Sequence, residues 1–395
     1  MAQREVVILS GARTPIGSYG GGLKDFAPTD LAARVVREAV SRAKVDPADV
    51  GQCVFGNVIH TEPKDMYLSR VACVNGGLPH DAGALTLNRL CGSGLQAVVS
   101  ASQYILLGDT DAAVAGGAES MSRGGYLAPF ARWGARMGDA KLMDMMVGAL
   151  TDPFDTIHMG ITAENVAAQC KLTREQQDAY AVESHRRAHA ATTAGHFKSQ
   201  MLTLETKGRK GPVVIDADEH IRADATLEGM AKLKAVFQKE NGTVTAGNAS
   251  GINDAAAAVV LMERSAAERK GLKPMARLIS YGHAGIDPKI MGLGPVSAVK
   301  RALQKAELRI GDLDVIESNE AFAAQAMGVS QQLGLDAKKV NPNGGAVALG
   351  HPIGATGCIL TIKCMYELQR TGGRYGLITM CIGGGQGIAA VIERM

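Results

Sequence analysis

The sequence is poor in aromatic residues and has no strong excess of either charge. Phe, Trp and Tyr make up 4% of the 395 residues, and the formal net charge is +3. A nucleic-acid-binding protein would carry clustered basic residues interleaved with aromatics, so we expect no nucleic-acid partner. A small positive balance suits a polyanionic small molecule without demanding one.

The seven cysteines lack the spacing of a disulfide framework or a zinc site. They stand at positions 53, 73, 91, 170, 358, 364 and 381, and no two are separated by two residues. Scattered cysteines in odd number are typical of free thiols in a reducing compartment. We therefore expect a cytoplasmic protein without a structural metal.

Two kinds of targeting segment are also missing. Residues 1–10 lack the basic and apolar pattern of a signal peptide. No apolar run of 18 residues stands out, so we predict no membrane-spanning helix and no membrane partner.

Glycine and apolar residues are plentiful. The chain has 48 glycines, and 46% of its residues are apolar, enough for a large core. A length of 395 residues indicates two or three domains. Many small residues predict a tightly packed interior in which backbone approaches backbone or ligand.

Apolar periodicity predicts two βα-rich stretches that flank a less regular middle region. In the first stretch we predict strands at 5–10, 50–59, 85–90 and 112–118, with helices at 29–42 and 95–108. In the last stretch we predict strands at 276–281, 314–317 and 375–381, the last closing the fold, with helices at 295–306 and 351–369. The middle region should hold helices at 163–170 and 174–194. The helix at 95–108 carries no charge, which predicts burial on all its sides.

The two stretches resemble each other in pattern. Residues 45–58 are similar to 308–322, and residues 91–120 are similar to 351–387. This predicts an internal duplication into layered α/β halves, with domains at 1–121 plus 251–272, 122–250 and 273–395. Cys91 and His351 then occupy equivalent positions before a helix, and packing of the halves would bring them together.

Cys91 is the strongest candidate nucleophile. It follows a predicted strand, precedes Gly-Ser-Gly and begins a helix. A helix N-terminus stabilises a thiolate and offers free N–H groups to an oxyanion. An inert buried cysteine is the commoner outcome for a single cysteine, but the adjacent glycines favour a functional one.

Three further residues could carry proton transfer or hold an oxyanion. His351, in Gly-His-Pro-Ile-Gly, is held extended by the following proline and could serve as a general base near Cys91. Cys381 precedes Ile-Gly-Gly-Gly and could be either a second acid/base or a core residue. Asn319 could orient a catalytic water or simply cap a helix.

A dinucleotide site is a competing hypothesis for the same stretch. Gly92-Ser-Gly-Leu-Gln-Ala97 fits the G-x-G-x-x-A pattern, with Asp109 and Asp111 downstream. The pattern is not at the first βα turn, and the uncharged helix favours burial over a cofactor crevice.

Together the motifs resemble the thiolase family, most closely its bacterial acetyl-CoA acetyltransferases and broad-specificity β-ketothiolases. The matching segments span nearly the whole chain: Asn88-Arg-Leu-Cys-Gly-Ser-Gly, Gly116-Gly-Ala-Glu-Ser-Met, Thr245-Ala-Gly-Asn-Ala-Ser-Gly, Asn319-Glu-Ala-Phe, Gly350-His-Pro and Cys381-Ile-Gly-Gly-Gly. The resemblance implies a five-layered αβαβα fold built from two duplicated βα halves, with an inserted loop domain.

The resemblance also implies the chemistry. Cys91 would carry the acyl group, His351 would take its proton, and Cys381 would exchange the α-proton of acetyl-CoA. Asn319 would hold a water at the enolate oxygen. The backbone N–H groups of Cys91 and Gly383 would hold the oxygen of the acyl-enzyme. Acyl transfer and carbon–carbon bond formation are then separate steps of a ping-pong cycle.

The substrates implied by the resemblance are acetyl-CoA, 3-ketoacyl-CoA and coenzyme A, with no permanently bound cofactor and no metal. Positions that match the coenzyme A site are His158, Met159, Arg222, Phe237, Ala246 and Ser250. Met291 and Phe322 match the acyl pocket. The usual assembly is a homotetramer, and residues 126–141 fall where its tetramerisation loop lies.

Several other functions remain open at this point. A degradative 3-ketoacyl-CoA thiolase for longer chains would differ in the bulk of its acyl pocket. An inactive lipid-binding relative would be expected to lose Cys91, His351 or Cys381, and all three are present. A fatty-acid-type condensing enzyme would carry two histidines, or a histidine and an asparagine, in place of Cys381 and His351.

Overall fold

The computed structural model describes residues 4–208 and 211–395. Within these ranges the chain forms 14 β-strands and 12 α-helices. The strands are β1 Val6–Arg13, β2 Gly17–Ser18, β3 Gln52–Gly56, β4 Gly83–Leu87, β5 Ala112–Ser120, β6 Tyr126–Leu127, β7 Met143–Asp144, β8 Leu204–Gly208, β9 Gly211–Ile215, β10 Asn253–Glu263, β11 Ala276–Gly285, β12 Val315–Ser318, β13 Tyr375–Ile382 and β14 Gln386–Arg394. The helices are α1 Pro28–Ala43, α2 Leu68–Asn75, α3 Ser93–Leu107, α4 Met145–Ala149, α5 Met159–Cys170, α6 Arg174–Thr193, α7 Leu227–Ala231, α8 Arg264–Arg269, α9 Gly294–Ala306, α10 Ala323–Leu333, α11 Ala346–Leu349 and α12 Ile353–Thr371.

One large sheet runs through both halves of the chain. Its strands follow the order β12-β13-β14-β11-β1-β10-β5-β3-β4, and β2 pairs with β10. The halves meet where β1 pairs with β11 through Val7–Arg277 and Ile8–Ala276. Outward from this junction, β10, β5 and β3 in one half correspond to β14, β13 and β12 in the other. Matching antiparallel and parallel pairs confirm the predicted duplication.

Helices complete the layers. The uncharged α3 and its counterpart α12 pack together between the two half-sheets, where they share one apolar core with Leu95, Ile362 and Ile378. Helices α1 and α2 cover the outer face of the first half-sheet, and α9 covers the outer face of the second. The five-layered α/β fold predicted from the sequence is therefore confirmed.

Two of the differences from the sequence prediction, both at strands, have a clear physical reason. The strand ending near Cys381 does not close the fold, because Gly384 and Gly385 adopt positive φ values of 78° and 85° and turn the chain back into β14. The second is the buried strand β10, which has an alanine-rich sequence that shows no strand periodicity. Alanine is accepted there because both faces of β10 are covered at close range by helices.

Helix α3 also departs from expectation in part. Its last turn reaches solvent, with Leu107 79% exposed, so it is not buried on all sides. By length and composition the segment Leu90–Leu107 could cross a membrane, with mean hydropathy 1.3, although we expected no such segment. Its packing against α12 explains this hydropathy as that of a core helix.

Candidate active site

The starts of α3 and α12 lie against each other. Cys91 and His351 each stand two residues before the first residue of their helix. The helices touch backbone to backbone: a Cβ on Gly357 would overlap the backbone nitrogen of Leu95, and one on Gly94 would lie 2.7 Å from the nitrogen of Cys358. Glycine at these positions therefore permits the approach that brings the two helix starts together. The same contact leaves no space for a dinucleotide at Gly92–Ala97.

The turn before Cys91 is fixed by local hydrogen bonds. The backbone N–H of Leu90 donates to Asn88 Oδ1 at 2.9 Å, and Leu90 adopts a left-handed φ of 46°. Ser93 Oγ accepts from the backbone N–H of Arg89 and donates to the carbonyl of Leu90. A strained residue held by such bonds next to a candidate nucleophile is typical of a functional turn.

The thiol of Cys91 is half-buried and receives backbone N–H groups. Burial raises the pKa of Cys91 to about 11, while hydrogen bonds from the N–H groups of Gly383 and of Cys91 itself oppose that rise. The thiol is therefore protonated at neutral pH and needs a base to become a nucleophile. The same two N–H groups lie where they could receive an oxyanion formed on the attacked carbon.

His351 is buried and uncharged at neutral pH, because burial lowers its pKa to about 4. Its Nδ1 lies 2.7 Å from Thr356 Oγ1, and that hydroxyl donates to the carbonyl of Pro352 at 2.9 Å. The hydroxyl proton is thus used, so Nδ1 carries the proton that Thr356 accepts. Nε2 is left with a free lone pair, as a general base requires.

The backbone of His351 is held from the first half of the chain. Its N–H donates to Asn253 Oδ1 at 2.9 Å, and Asn253 Nδ2 donates to the carbonyl of Gly17 at 3.0 Å. Gly350 has φ 105°, and a Cβ there would overlap the Asn253 side chain. Only glycine fits this position, so the chain reaches His351 in one fixed direction.

Asn319 lies beside the free nitrogen of His351. Its Nδ2 is 3.5 Å from His351 Nε2, and its backbone N–H donates to the carbonyl of Thr379. Its Oδ1 is buried without a protein partner. A buried amide oxygen normally has a hydrogen-bond partner, so this atom is suited to hold a water or a substrate group.

Cys381 lies near the end of β13, at the turn that carries Gly383. Burial raises the pKa of Cys381, and the neighbouring Cys91 raises it further. Gly383 stands in the turn that joins β13 to β14, and its N–H forms a hydrogen bond with the Cys91 thiol, so it lies next to both thiols. Two thiols, one imidazole and one amide are thus gathered from four separate segments.

An apolar cluster lies next to this group. It contains Cys381, Met159, Met291 and Phe322, together with Ala163, Val244 and Ala321. Gly383 borders the cluster as well, since a Cβ on it would lie 3.2 Å from Met159 Cε. The structure therefore brings together both predicted acyl-pocket residues and two residues predicted to contact coenzyme A, Met159 in the cluster and Phe237 packed against it.

The predicted coenzyme A residues fall into two groups. His158 caps α5 by accepting the Gly160 N–H and stacks on Phe237 with ring centroids 4.6 Å apart. Phe237 in turn meets Phe322 edge to face, at 6.2 Å. Ser250 joins this region because its N–H donates to the carbonyl of Ala321.

Arg222 and Ala246 form the second group. They line a cavity of about 260 Å³ together with His185 and His220. The backbone N–H of Arg222 donates to His185 Nδ1 at 3.1 Å, and burial lowers the pKa of both histidines. None of the thiol or imidazole groups around Cys91 lines this cavity.

Three residues that support the site were not singled out by the sequence. Thr356 and Asn253 hold His351, and Glu119 lies in a segment noted only as part of a motif. Nothing in the sequence distinguishes Thr356 from other residues of a helix or Asn253 from other residues of a strand. Among the described residues, no group of three or more His, Cys, Asp or Glu side chains is arranged to hold a metal.

Comparison with known proteins gives one consistent result. The family models for the N-terminal and C-terminal thiolase domains match residues 6–265 and 272–394. The chain is 68% identical to β-ketothiolase BktB of Cupriavidus necator and 50% identical to an acetyl-CoA acetyltransferase of Chromobacterium violaceum, in both cases over 99% of this chain and 100% of the relative.

Solved structures agree. The crystal structure of the Bacillus anthracis acetyl-CoA acetyltransferase matches with a TM-score of 0.97, and that of human mitochondrial 3-ketoacyl-CoA thiolase with 0.98. Each is 44% identical to this chain, and each match covers 100% of both chains. These matches and the geometry around Cys91 lead to one conclusion: the chain belongs to the thiolase family.

Proposed function

We propose that this chain is an acyltransferase that condenses acetyl-CoA with an acyl-CoA to give 3-ketoacyl-CoA and free coenzyme A, and that runs the reverse thiolysis. The observation that carries the proposal is the placement of the Cys91 thiol at the Gly383 N–H, with His351 at the neighbouring start of α12 and Asn319 beside His351 Nε2. The names of the relatives at 68% and 50% identity support it.

In the first half-reaction, His351 Nε2 takes the Cys91 proton as sulfur attacks the thioester carbonyl. The N–H groups of Cys91 and Gly383 hold the resulting oxyanion. Collapse of the tetrahedral intermediate breaks the bond to the coenzyme A sulfur, which leaves with the proton held by His351. The acyl group stays on Cys91 as a thioester.

In the second half-reaction, Cys381 passes its proton to His351 Nε2 and, as thiolate, removes a proton from the methyl carbon of acetyl-CoA. The enolate oxygen accepts hydrogen bonds from the His351 Nε2–H and from a water held by Asn319 Oδ1. The carbanion attacks the acyl carbon, and Cys91 departs with the proton from His351 Nε2, so both thiols end the cycle protonated. In thiolysis Cys381 returns the proton, which suits a thiol kept protonated by burial.

Mass spectrometry of cysteine variants incubated with acetyl-CoA tests these roles. We expect wild type to gain one acetyl group on Cys91, Cys91→Ser to gain none there, and Cys381→Ser to gain it but condense at least about a hundredfold more slowly. Cys170→Ser, which changes a thiol at the end of α5, should behave as wild type. Condensation at wild-type rate by Cys381→Ser would contradict its acid/base role.

Coenzyme A binding is assigned to the two groups described above. His158, Met159, Phe237 and Ser250 would contact the pantetheine near the thiols, and Arg222 and Ala246 would contact the phosphate and adenine end. Met291 and Phe322 would face the acyl chain. Thiolysis rates across 3-ketoacyl-CoA substrates of increasing length would separate a short-chain enzyme from a degradative one.

We also propose a homotetramer in the cytoplasm. The segment predicted to form the tetramerisation loop exposes large apolar side chains, with Trp133 84% and Met137 97% exposed. Patches of this kind commonly mark an interface. The seven free thiols are consistent with a reducing compartment. Light scattering should give four chains for wild type and fewer for a Trp133→Glu, Met137→Glu double variant.

A further inference from the structure

Glu119 is a fully buried carboxylate with an unusual set of partners. It lies near the end of β5 and is 0% exposed. Within residues 4–208 and 211–395, no lysine or arginine forms an ion pair with it. A charge buried without a cation is expensive to desolvate and needs compensating hydrogen bonds.

Four N–H groups supply that compensation. Glu119 Oε1 accepts from Asn57 Nδ2 at 3.0 Å and from the Ile59 N–H at 3.0 Å. Oε2 accepts from the Val58 N–H at 3.1 Å and from the Gly354 N–H at 2.8 Å. Burial raises the pKa of Glu119 to about 8, and the backbone N–H bonds oppose that rise. All four partners are donors, so a protonated carboxyl could donate to none of them, and the four bonds belong to the ionised form.

The four donors belong to the two sides of the catalytic cleft. Ile59 packs in one apolar cluster with Ile353, and Cys91 lies against that cluster. Gly354 lies in the first turn of α12, three residues after His351. A single carboxylate therefore connects the wall beside Cys91 to the segment that carries His351.

The contact is also close in space. A Cβ on Gly354 would lie 2.7 Å from Glu119 Oε2 and 3.2 Å from the Asn57 Cα. One on Gly117 would overlap the carbonyl of Gly354. The start of α12 thus rests directly on β5, with no room for a water or a side chain between them.

We propose that Glu119 is a positioning residue of the reaction, which fixes His351 at Cys91 by joining the Asn57–Ile59 segment to the first turn of α12. The inference rests on the proposed roles of His351 and Cys91. Glu119 touches neither substrate nor the reacting atoms. Its effect on rate arises because a displacement of about 1 Å between a base and its nucleophile can lower a rate about a hundredfold.

Glu119→Gln tests this, because an amide has only one acceptor end. Its NH2 group must face either the Asn57 and Ile59 pair or the Val58 and Gly354 pair, so one pair of bonds is lost. We expect kcat for condensation to fall between about tenfold and a hundredfold with KM for acetyl-CoA within about twofold. The rate of Cys91 alkylation by iodoacetamide at pH 7 should fall in parallel.

Glu263→Gln is the matched control. Glu263 is also buried and also accepts a backbone N–H at a helix start, that of Ala266 in α8. It stands at the far end of β10 from Asn253, roughly 30 Å away at the usual rise per strand residue. The Glu263→Gln variant should have a lower thermal midpoint of unfolding, with kcat and the rate of Cys91 alkylation unchanged.

Gly354→Ala gives a second variant in case Glu119→Gln does not fold, since it disturbs the same contact from the side of α12 and should give the same fall in both rates. Wild-type alkylation and kcat in either folded variant, with only a lower unfolding midpoint, would overturn the proposal. A raised KM with unchanged kcat would overturn it as well. Absence of acetyl-Cys91 in the wild type would instead refute the proposed function itself.

Discussion

The side chain of His351 shows how burial prepares one residue for its proposed task. Its Nδ1 proton is committed to Thr356, and its Nε2 lone pair faces Asn319. An imidazole of ordinary pKa would be partly protonated near neutrality. Burial lowers the pKa of His351 to about 4, so nearly every molecule holds a free base at pH 7.

The same burial makes stability depend on pH. Because the pKa of His351 falls from 6.5 in the unfolded chain to about 4 in the folded one, the unfolded state binds more protons between these values. Stability should then decrease as pH falls from about 6.5 to 4, by up to about 3 kcal/mol from this residue. Urea unfolding at several pH values between 4.5 and 7 measures it.

The comparison that isolates His351 uses two variants. His351→Asn cannot be protonated, so its unfolding free energy should fall less steeply below pH 6.5 than that of wild type. His189→Asn, which changes an exposed histidine on α6, should keep the wild-type slope. Equal slopes for wild type and His351→Asn would show that burial of this imidazole is not linked to stability.

At the residue scale, the sequence predicted those site residues that stand next to a predicted helix or a run of glycines. Cys91 and His351 each stand two residues before a helix, and Gly383 follows Cys381 in a glycine turn. The partners of His351 could not be predicted in this way. Asn253 is 98 positions distant, and its role exists only because β10 passes the start of α12.

Among the elements, α3 and α12 depend on each other most closely. Glycine on each helix replaces a side chain at their crossing, so their backbones touch. Close packing of this kind leaves little freedom to adjust. A substitution where α3 and α12 cross should therefore displace the starts of both helices.

Gly357→Ala tests this dependence. A Cβ there would overlap the backbone of Leu95, so we expect a loss of about 1–3 kcal/mol in unfolding free energy. The shift of the helix starts should also lower kcat, measured in the condensation assay. Gly148→Ala in α4, where a Cβ meets nothing within 4 Å, is the control and should change stability little. A neutral Gly357→Ala would mean that the helices can separate freely.

The strands show where local pattern was insufficient. The bounds of β12 and β13 were predicted to within a residue or two, because a short apolar run bounded by turn residues indicates a buried strand. The alanines of β10 favour helix as isolated residues, and only the covering helices make them strand residues. The strand β14 could not be predicted in this way, because a run of glycines after a strand is as typical of a chain end as of a tight turn.

At the scale of the molecule, one buried ion pair fastens the middle region to the first half. Arg13 at the end of β1 and Asp218 are both fully buried, and the guanidinium donates to both carboxylate oxygens at 2.8 and 3.0 Å. Asp218 also accepts the N–H of Ile16. Its neighbours along the chain include Arg222, in the proposed coenzyme A site.

Asp218→Asn should reduce unfolding free energy by about 3–5 kcal/mol, since it leaves the Arg13 charge buried and unpaired. Guanidinium unfolding measures the change, and KM for acetyl-CoA should rise because the segment that leads from Asp218 to Arg222 loses this attachment to β1. Glu228→Gln breaks an exposed pair with Lys232 and should cost less than about 1 kcal/mol. Equal losses in the two variants would show that the buried pair does not fasten this region.

The predicted layers and duplication follow from repeated βα periodicity, which is a property of short stretches of chain. The boundaries at 121, 250 and 272 stay a prediction, because nothing in the sequence marks where one packing unit ends. Pairings such as Arg13 with Asp218, 205 residues apart, arise only when the chain is folded.

The junction between equivalent strands differs sharply in length between the halves. Three glycines join β13 to β14, whereas everything from residue 121 to residue 252 lies between β5 and β10. The closure entropy of a loop grows only slowly with its length, so one ancestral hairpin could expand in one copy and stay minimal in the other. The short connection places the Gly383 N–H at the Cys91 thiol, and the long connection carries the stacked rings of His158 and Phe237. The two equivalent connections of the duplicated halves thus differ in length and in content, and both reach the region around Cys91.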